Sequence, residues 1–517
     1  MQSFLQRHES EIKGTLSGFD RIRFRGTIRW LVGVSGMGSF LGTIGVLLKD
    51  FTDWTKERTE RIRLATLKLA VEAERPVVYL PSSGTRKEQE ALKIAARDGI
   101  TEGLVCVLSC VEPCLTFEVG GNRQKKLLEL RYVSGKCKHY YFYLIDREMG
   151  LMHLRLQTWA PYTVQVCING REWLARQMAA KQIDFEQRDN CFVDVGDLRR
   201  AQALLDRQLR TNWPALLNRL LKRVHPAHAK LCDRPLHYYW SADETEWATD
   251  VMFRSSEALA RLTPRLMRHA ITAFGGSDVL RFLGKAPRIR KNTAAEITSS
   301  LGRRSEGARV KHTANRNSVK MYDKQQTVLR VETTINNPGE LKVLRPKEGE
   351  PQGRKQWRRM RKGVADMHRR AEVSQKSNER YLEALSAVDP SASLGETVKP
   401  LCQRTRWKGR SVRGLQPLEQ QDATLLAAIG RGEFLLNGFR NRDLRGLLFE
   451  NRKVSAAEIK RQASKVTRLI RLLRAHKLIQ KISKTHRYRT TADGHATVTA
   501  LTAAQHATIQ TLTQLAA

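Results

Sequence analysis

Hydrophobic and polar positions in this chain follow two periods, and the places where the period changes mark its elements. Between Arg21 and Arg29, Ile22, Phe24 and Ile28 alternate with arginines and a glycine, predicting a half-buried strand with a basic outer face. Helical spacing follows through about Ala73. Short apolar runs at Val77–Leu80 and Leu104–Val111 predict strands flanking a helix over Lys87–Asp98. From Lys126 the pattern is a meander. Leu127–Val133, His139–Ile145, Leu151–Thr158 and Thr163–Ile168 read as strands, punctuated by Ser-Gly, Arg-Glu-Met-Gly and Ala-Pro turns. Amphipathic helices near Arg171–Ala180 and Leu198–Arg223 close this part.

A second block runs from about Pro235 to Asn337. Its expected strands are Leu236–Trp240, Trp247–Phe253, Arg309–Thr313, Ser318–Lys324 and Thr327–Ile335, with helices between Ser256 and Leu283. A basic polar stretch, Arg345–Arg370, then leads into a helix through Tyr381–Val388. Residues 389–420 carry Pro390, Ser391, Ser393, Gly395, Pro400, Gly409, Gly414 and Pro417, the composition of a boundary. The expectation is an α+β multidomain protein with a mixed α/β domain containing an antiparallel meander (1–230). After it come an α+β domain with a candidate hairpin (231–344), a basic helical arm and linker (345–420), and a C-terminal domain (421–517).

Trp30–Leu48 carries no charge, but Gly33, Gly36, Gly38, Gly42 and Gly45 dilute its hydropathy below that of a span of about 20 apolar residues. It reads as a glycine-rich turn and a buried helix from about Ser39, with no membrane partner. The start, Met-Gln-Ser-Phe-Leu-Gln-Arg-His, lacks the apolar core of a secretion signal. Eight cysteines are too sparse for a disulfide framework, which fits a reduced, cytoplasmic, nucleoid-associated protein.

Charge narrows the partner. With 91 Lys+Arg against 52 Asp+Glu, the chain of 517 residues carries +39, and nucleic acid is the polyanion that would neutralise it. Residues 401–490 hold 22 Lys+Arg and 6 Asp+Glu, and residues 285–370 hold 23 and 8, so two stretches carry most of the excess.

In the first of these, a helix near Asp422–Ile429 is followed by a short one that Asn441 can cap. A longer helix, capped by Ser455, continues to about Ala475 with Ile459, Ala463, Val466, Ile470 and Leu473 at helical spacing. Two short strands, His476–Ile482 and His486–Thr490, flank Ser483-Lys-Thr485. This order, with Leu-Leu-Arg-Ala-His-Lys-Leu-Ile before a basic hairpin, resembles the winged helix-turn-helix DNA-binding family. The resemblance implies that Lys460, Arg461, Lys465, Arg468 and Arg471 face the major groove, while Lys484, Arg487 and Arg489 on the wing meet the adjacent backbone.

In the second, alternation along Asn317–Lys324 places Lys320, Tyr322 and Lys324 on one face, and Arg330 and Glu332 share a face of the next strand. A phenol between two ammonium groups is a nucleophile in waiting. Glu332 would hold a divalent ion and Arg330 would neutralise the phosphate. Lys-Met-Tyr-Asp-Lys followed by Arg-Val-Glu resembles the hairpin of rolling-circle replication initiators, which implies strand nicking through Tyr322. The chain departs from that family in having no His-hydrophobe-His metal motif; neither His225-Pro-Ala-His228 nor Cys137-Lys-His139 supplies it.

Other constellations stand beside these. Asp20, Asp146 and Glu148, with Asp243, Glu244, Glu246 and Asp250, are scattered carboxylates of the kind two-metal nucleases assemble, giving Asp20, Asp146 and Glu332 as metal candidates for Mg²⁺ or Mn²⁺. Cys106, Cys110 and Cys114 would share a strand face about 13 Å apart per step, too far for one zinc, and read as buried thiols. The aromatic runs at Lys138–Tyr143 and His237–Trp240 fit core strands better than base stacking. The functional expectation is a DNA-processing protein of a mobile element, either a replication initiator or a transposase-like strand-cleaving enzyme, with homo-oligomers compatible. The alternatives are a non-enzymatic DNA-binding regulator and an RNA-binding mobile-element factor.

Overall fold

The computed structural model describes residues 1–225, 228, 231–232, 237–285, 296–304, 307–350, 352–386, 394–407, 409–431, 434, 438–449, 455–482 and 485–507. Its principal strands are β1 (Ile12–Ile28), β2 (Val77–Tyr79), β3 (Gly103–Asn122), β4 (Leu127–Asp146), β5 (Gly150–Gln157), β6 (Val164–Asn169), β7 (Phe185–Arg188) and β8 (Cys191–Val195). They continue with β9 (Tyr238–Phe253), β10 (Ile297–Arg304), β11 (Gly307–Ala314), β12 (Asn317–Lys324) and β13 (Val328–Ile335). Together with the helices they make a mixed α/β protein.

The chain divides into two units that interleave in sequence. One comprises Thr15–Thr249 and Glu332–Gln375; the other comprises Met1–Gly14, Asp250–Val331 and Lys376–Ala517. Strands β1, β9 and β13 each start in one unit and end in the other, so the units cannot be cut out as consecutive segments.

In the Thr15–Thr249 unit the strand order is β13-β9-β1-β6-β5-β4-β3-β2. Antiparallel pairing runs from β1 through β6, β5 and β4 to β3, and β2 joins β3 in parallel. The helix Lys87–Arg97 sets Ala91 and Ala95 against Cys106, Leu108, Tyr141 and Tyr143 on β3 and β4. The expected turn at Ser134-Gly135 does not form. Both residues lie inside β4, opposite Leu115 and Cys114, and the chain reverses instead between Asn122 and Leu127, where Lys126 has φ +52°. A Cβ on Gly135 would come within 2.6 Å of Thr116 Cγ2, so this glycine serves close strand contact rather than a turn.

Two other expectations change in the same direction. Of the two expected strands Leu236–Trp240 and Trp247–Phe253, residues from Tyr238 onward fall along one strand, β9, and residues 233–236 lie outside the described set. The single helix over Leu198–Arg223 is two, Leu198–Gln208 and Trp213–Val224, because Asn212 caps the second by accepting from the Ala215 N–H at 3.2 Å and Pro214 opens its first turn. The basic stretch after Arg345 contributes structure too: Lys342–Arg345 pairs with Gln356–Arg359, and Met360 packs with Ile335, Leu341 and Val343. Between Trp30 and Leu48 a helix, Val34–Thr43, buries Met37, Phe40 and Leu41. No helix among the described residues is long and apolar enough to cross a membrane.

In the other unit, β10-β11-β12-β13 follow one another as an antiparallel meander over a core that includes Phe4, Leu259, Leu266, Val310, Met321 and Tyr381. Its C-terminal part has helices at Gln420–Ile429, Asn441–Leu448, Ala456–Ala475 and Ala492–His506, with Ile479–Lys481 paired to Tyr488–Thr490. These elements enclose their own core of Leu425, Leu444, Val466, Ile470, Leu473 and Val498. Ser455 caps the long helix as expected, accepting from Glu458 N–H at 3.3 Å, while Ile459 in its first turn stays exposed. Asn441 does not cap. Asp443 accepts from the Arg440 N–H at 2.8 Å, and the Asn441 amide donates to Ala463 O at 2.8 Å, tying two helices together.

Candidate functional site

Three neighbouring strands each deliver one carboxylate to a common point: Asp20 from β1, Glu246 from β9 and Glu332 from β13. One oxygen from each lies within 4.8 Å of those of the other two. Asp20 and Glu332 are buried, and Glu246 keeps 13% of its side chain exposed. Three anions this close and this dry repel one another strongly, so the cluster requires compensating cations.

Two guanidiniums provide part of that compensation. Arg21 Nε is 3.8 Å from Glu246 Oε2, and the fully buried Arg171 has Nε 3.6 Å from Asp20 Oδ1. Asn190 Nδ2 donates to Asp20 Oδ1 at 2.9 Å. Burial pulls the Arg21 pKa down, but Glu246, Asp20, Glu88 and Glu332 outweigh it and raise the pKa above its ordinary value. Arg171 is aimed by local backbone chemistry. Asn169 caps the helix Gly170–Ala180 by accepting from the N–H groups of Arg171 (2.8 Å) and Glu172 (3.2 Å). A Cβ on Gly170 would sit 1.8 Å from Phe19 O, so only glycine lets this helix start close enough to β1 to put Arg171 beside Asp20.

Arg21 also lines a cavity of about 320 Å³ on the sheet face, with Arg23, Tyr141, Tyr143, His153 and Arg155 around it. Burial, reinforced by Arg23, Arg21 and Arg155, pushes His153 down to about 4, so its imidazole is neutral at physiological pH. Arg155 holds Glu112 through Nε (3.1 Å) and Nη2 (2.9 Å), and Tyr141 donates to the same carboxylate at 2.6 Å. Burial alone would raise Glu112; these bonds and Lys87 hold it at about 2. The lining also includes Glu88, so three arginines, each paired with a carboxylate elsewhere, outnumber one acidic group in it.

The remaining acidic candidates are spoken for. Asp243 accepts from Arg25 at 2.6 Å, and Glu244 pairs with Arg23 at 3.1 Å, extending an arginine–carboxylate ladder between β1 and β9. Asp146 does not join Asp20 and Glu332. Its Oδ2 accepts from Arg223 at 2.6 Å, and its Oδ1 accepts from Glu148 and Met149 N–H groups in the β4–β5 turn. Glu246 takes the third place instead. Glu148 faces Arg219 at 3.5 Å.

The hairpin differs from its expected role. Tyr322 retains 8% of its surface and Lys324 5%, opposite Arg309 and along a strand whose Lys320 faces Lys311. The phenol is packed within the sheet rather than presented to a strand of DNA. Arg330 is fully buried and bonded to Asp250 through Nε (2.6 Å) and Nη2 (2.9 Å), which removes it as a phosphate-neutralising group.

At the C-terminus, Lys460, Arg461, Lys465, Arg468 and Arg471 are all exposed along Ala456–Ala475. Arg461 is held by Glu458 at 2.9 Å, and Lys465 lies 5.8 Å from the Phe449 ring centroid. Arg489 is exposed, but Arg487 is half-buried and donates to Gly438 O at 3.1 Å. Lys484 lies outside the described residues.

No protein-family model matches the chain, and neither does any curated protein or solved structure.

The cysteine series separates. Burial pushes the thiols of Cys106 and Cys110 up to about 12 and about 11, whereas Cys114 turns toward Cys137 on β4. Tyr140 to Tyr143 are buried core residues, as are Tyr238 and Trp240; Tyr239 is exposed, with the Arg29 guanidinium 4.1 Å from its ring. Sequence reasoning misses Arg171, Asn190 and Gly170. The only cue is Asn169-Gly170 at the start of a helix, an ordinary cap signal.

Proposed function

We infer that this protein cleaves or transfers a strand of nucleic acid at a carboxylate-held divalent cation. The observation that carries the reading is the convergence of Asp20, Glu246 and Glu332 from three adjacent strands. An all-oxygen donor set selects a hard ion such as Mg²⁺ or Mn²⁺, which would polarise the scissile phosphate and activate water or a hydroxyl. The cavity that shares Arg21 with the cluster, where Arg21, Arg23 and Arg155 outnumber Glu88, would hold the phosphate backbone alongside. In this reading the C-terminal elements are a winged helix-turn-helix, with Ala456–Ala475 in the major groove and the Ile479–Thr490 hairpin as the wing. Such an assembly fits a replication initiator or transposase-like enzyme of a mobile element acting on DNA.

One observation favours a second reading. Arg171 against Asp20 and Arg21 against Glu246 also suffice as a structural ion network, which would leave a non-enzymatic DNA-binding regulator. The test is incubation of full-length protein with supercoiled DNA and Mg²⁺ or Mn²⁺. Nicking by wild type, lost in Glu246→Gln and Glu332→Gln, supports the enzyme. DNA bound tightly but left intact by wild type supports the regulator.

A further inference from the structure

Away from the carboxylates, the long β3–β4 hairpin brings together three donors of a different character. Cys114 lies opposite Gly135, and Cys137 opposite Glu112, so the two cysteines are diagonal neighbours on one face of the pair. Their sulfurs are 3.4 Å apart, in contact but far from the roughly 2.05 Å of a disulfide. His139, two residues beyond Cys137 on the same face, has Nδ1 4.0 Å from Cys137 Sγ, and a donor atom from each of the three lies within 4.8 Å of the others.

We propose that Cys114, Cys137 and His139 form a binding site for a thiophilic divalent cation, Zn²⁺ being the ion whose coordination it fits. A tetrahedral zinc with bonds of about 2.3 Å to sulfur sets two thiolates about 3.8 Å apart, so the pair needs to open by only a few tenths of an ångström. His139 is excluded from solvent. Its Nδ1 contacts the Cys137 carbonyl at 3.1 Å, while Nε2, fully buried, has no hydrogen-bond partner among the described residues. A fully buried imidazole nitrogen without a partner is costly without an occupant. A ring nitrogen bonded to a backbone carbonyl is also the usual way a metal-ligating histidine is oriented.

Both cysteines are half-buried, which leaves a route for the ion and a fourth position for water or a ligand atom. The carboxylate cluster offers only oxygens, so the chain would sort hard and soft ions between two places.

Full-length protein purified under reducing conditions is loaded with Zn²⁺ or Co²⁺ alone and desalted. The expected result is one retained zinc per chain and, with cobalt, thiolate-to-metal charge transfer in the near ultraviolet with the intense visible bands of a four-coordinate ion. Cys114→Ser and His139→Gln, each verified by far-ultraviolet circular dichroism, lose that spectrum. Cobalt held by carboxylates gives no sulfur band, so the two sites are read separately. If a variant does not fold, wild type alone decides: bound zinc shields Cys114 and Cys137 from maleimide, and chelation exposes both. A folded wild type without the sulfur band, a band that survives Cys114→Ser, thiols equally reactive with and without zinc, or a Cys114–Cys137 disulfide in protein alkylated at lysis would each overturn the site.

Discussion

Arg330 and Asp250 form a two-pronged ion pair with no access to water, Nε on Oδ1 at 2.6 Å and Nη2 on Oδ2 at 2.9 Å. Removing one partner takes the two-pronged counter-charge from the other where no water can replace it, which costs about 3–5 kcal/mol. Arg330→Ala and Asp250→Ala should therefore each lower the urea midpoint sharply. The paired replacement Arg330→Met with Asp250→Leu should recover most of the loss, because the desolvation penalty disappears from both sides. Equal damage in the double variant would contradict this.

Tyr322→Phe removes only a hydroxyl from a packed ring, so strand nicking should stay within about twofold of wild type if the carboxylates do the chemistry. Glu332→Gln should cost about 10²-fold or more, since on the proposed reading it deletes an ion ligand. A covalent protein–DNA adduct that vanishes in Tyr322→Phe would reverse the assignment.

The exposed cations of Ala456–Ala475 should act on DNA chiefly through phosphates. Replacing Lys460, Lys465 and Arg468 with Ala should flatten the slope of log K against log salt by about 0.9 for each phosphate left without its cation, with the fold unchanged. Arg487→Ala should do less to that slope than Arg489→Ala, because its guanidinium already serves Gly438 O at 3.1 Å. Fluorescence anisotropy over a salt series measures both.

His312 sits between Ser299 Oγ at 2.8 Å and the Tyr381 hydroxyl at 3.0 Å, and burial pushes its pKa down to about 4 from 6.5. The unfolded chain takes up a proton below about 6.5 while the folded ring stays neutral, so stability is complete above that pH and falls as the pH drops toward 4. Over that window the loss is about 3 kcal/mol. Chemical denaturation at pH 7 and pH 5 should show a larger drop for wild type than for His312→Leu.

Gly170→Ala should destabilise by more than about 2 kcal/mol and withdraw Arg171 from Asp20, because the new methyl group meets the Phe19 carbonyl. If nicking is seen in wild type, it should weaken in this variant although no ion ligand has changed.

What can be read from the chain alone divides along lines of physical range. Alternation around Ile22 and Phe24, the apolar spacing of Val466, Ile470 and Leu473, and the cap at Ser455 are local signals, and local rules decode them. Ser134-Gly135 misleads because a glycine that admits a neighbouring strand looks the same as one that makes a turn. Asp20 and Glu332 are 312 positions apart, and nothing in either neighbourhood announces that β9 will lie between their strands with Glu246 on it. Asp146 is equally plausible by composition. What separates it from the cluster is Arg223, a partner chosen by the fold. Arg330 looks like a free cation for the same reason that Asp250 looks like a free anion.

The pairing of Asp20, Glu246 and Glu332 with Arg21 and Arg171 has one more consequence. With all three carboxylates ionised these five side chains sum to one negative charge; a divalent ion held there, as proposed, would make the same five sum to one positive charge. In the proposed reaction the ion would then bind before the nucleic acid, and depletion of the ion would weaken the hold on phosphate.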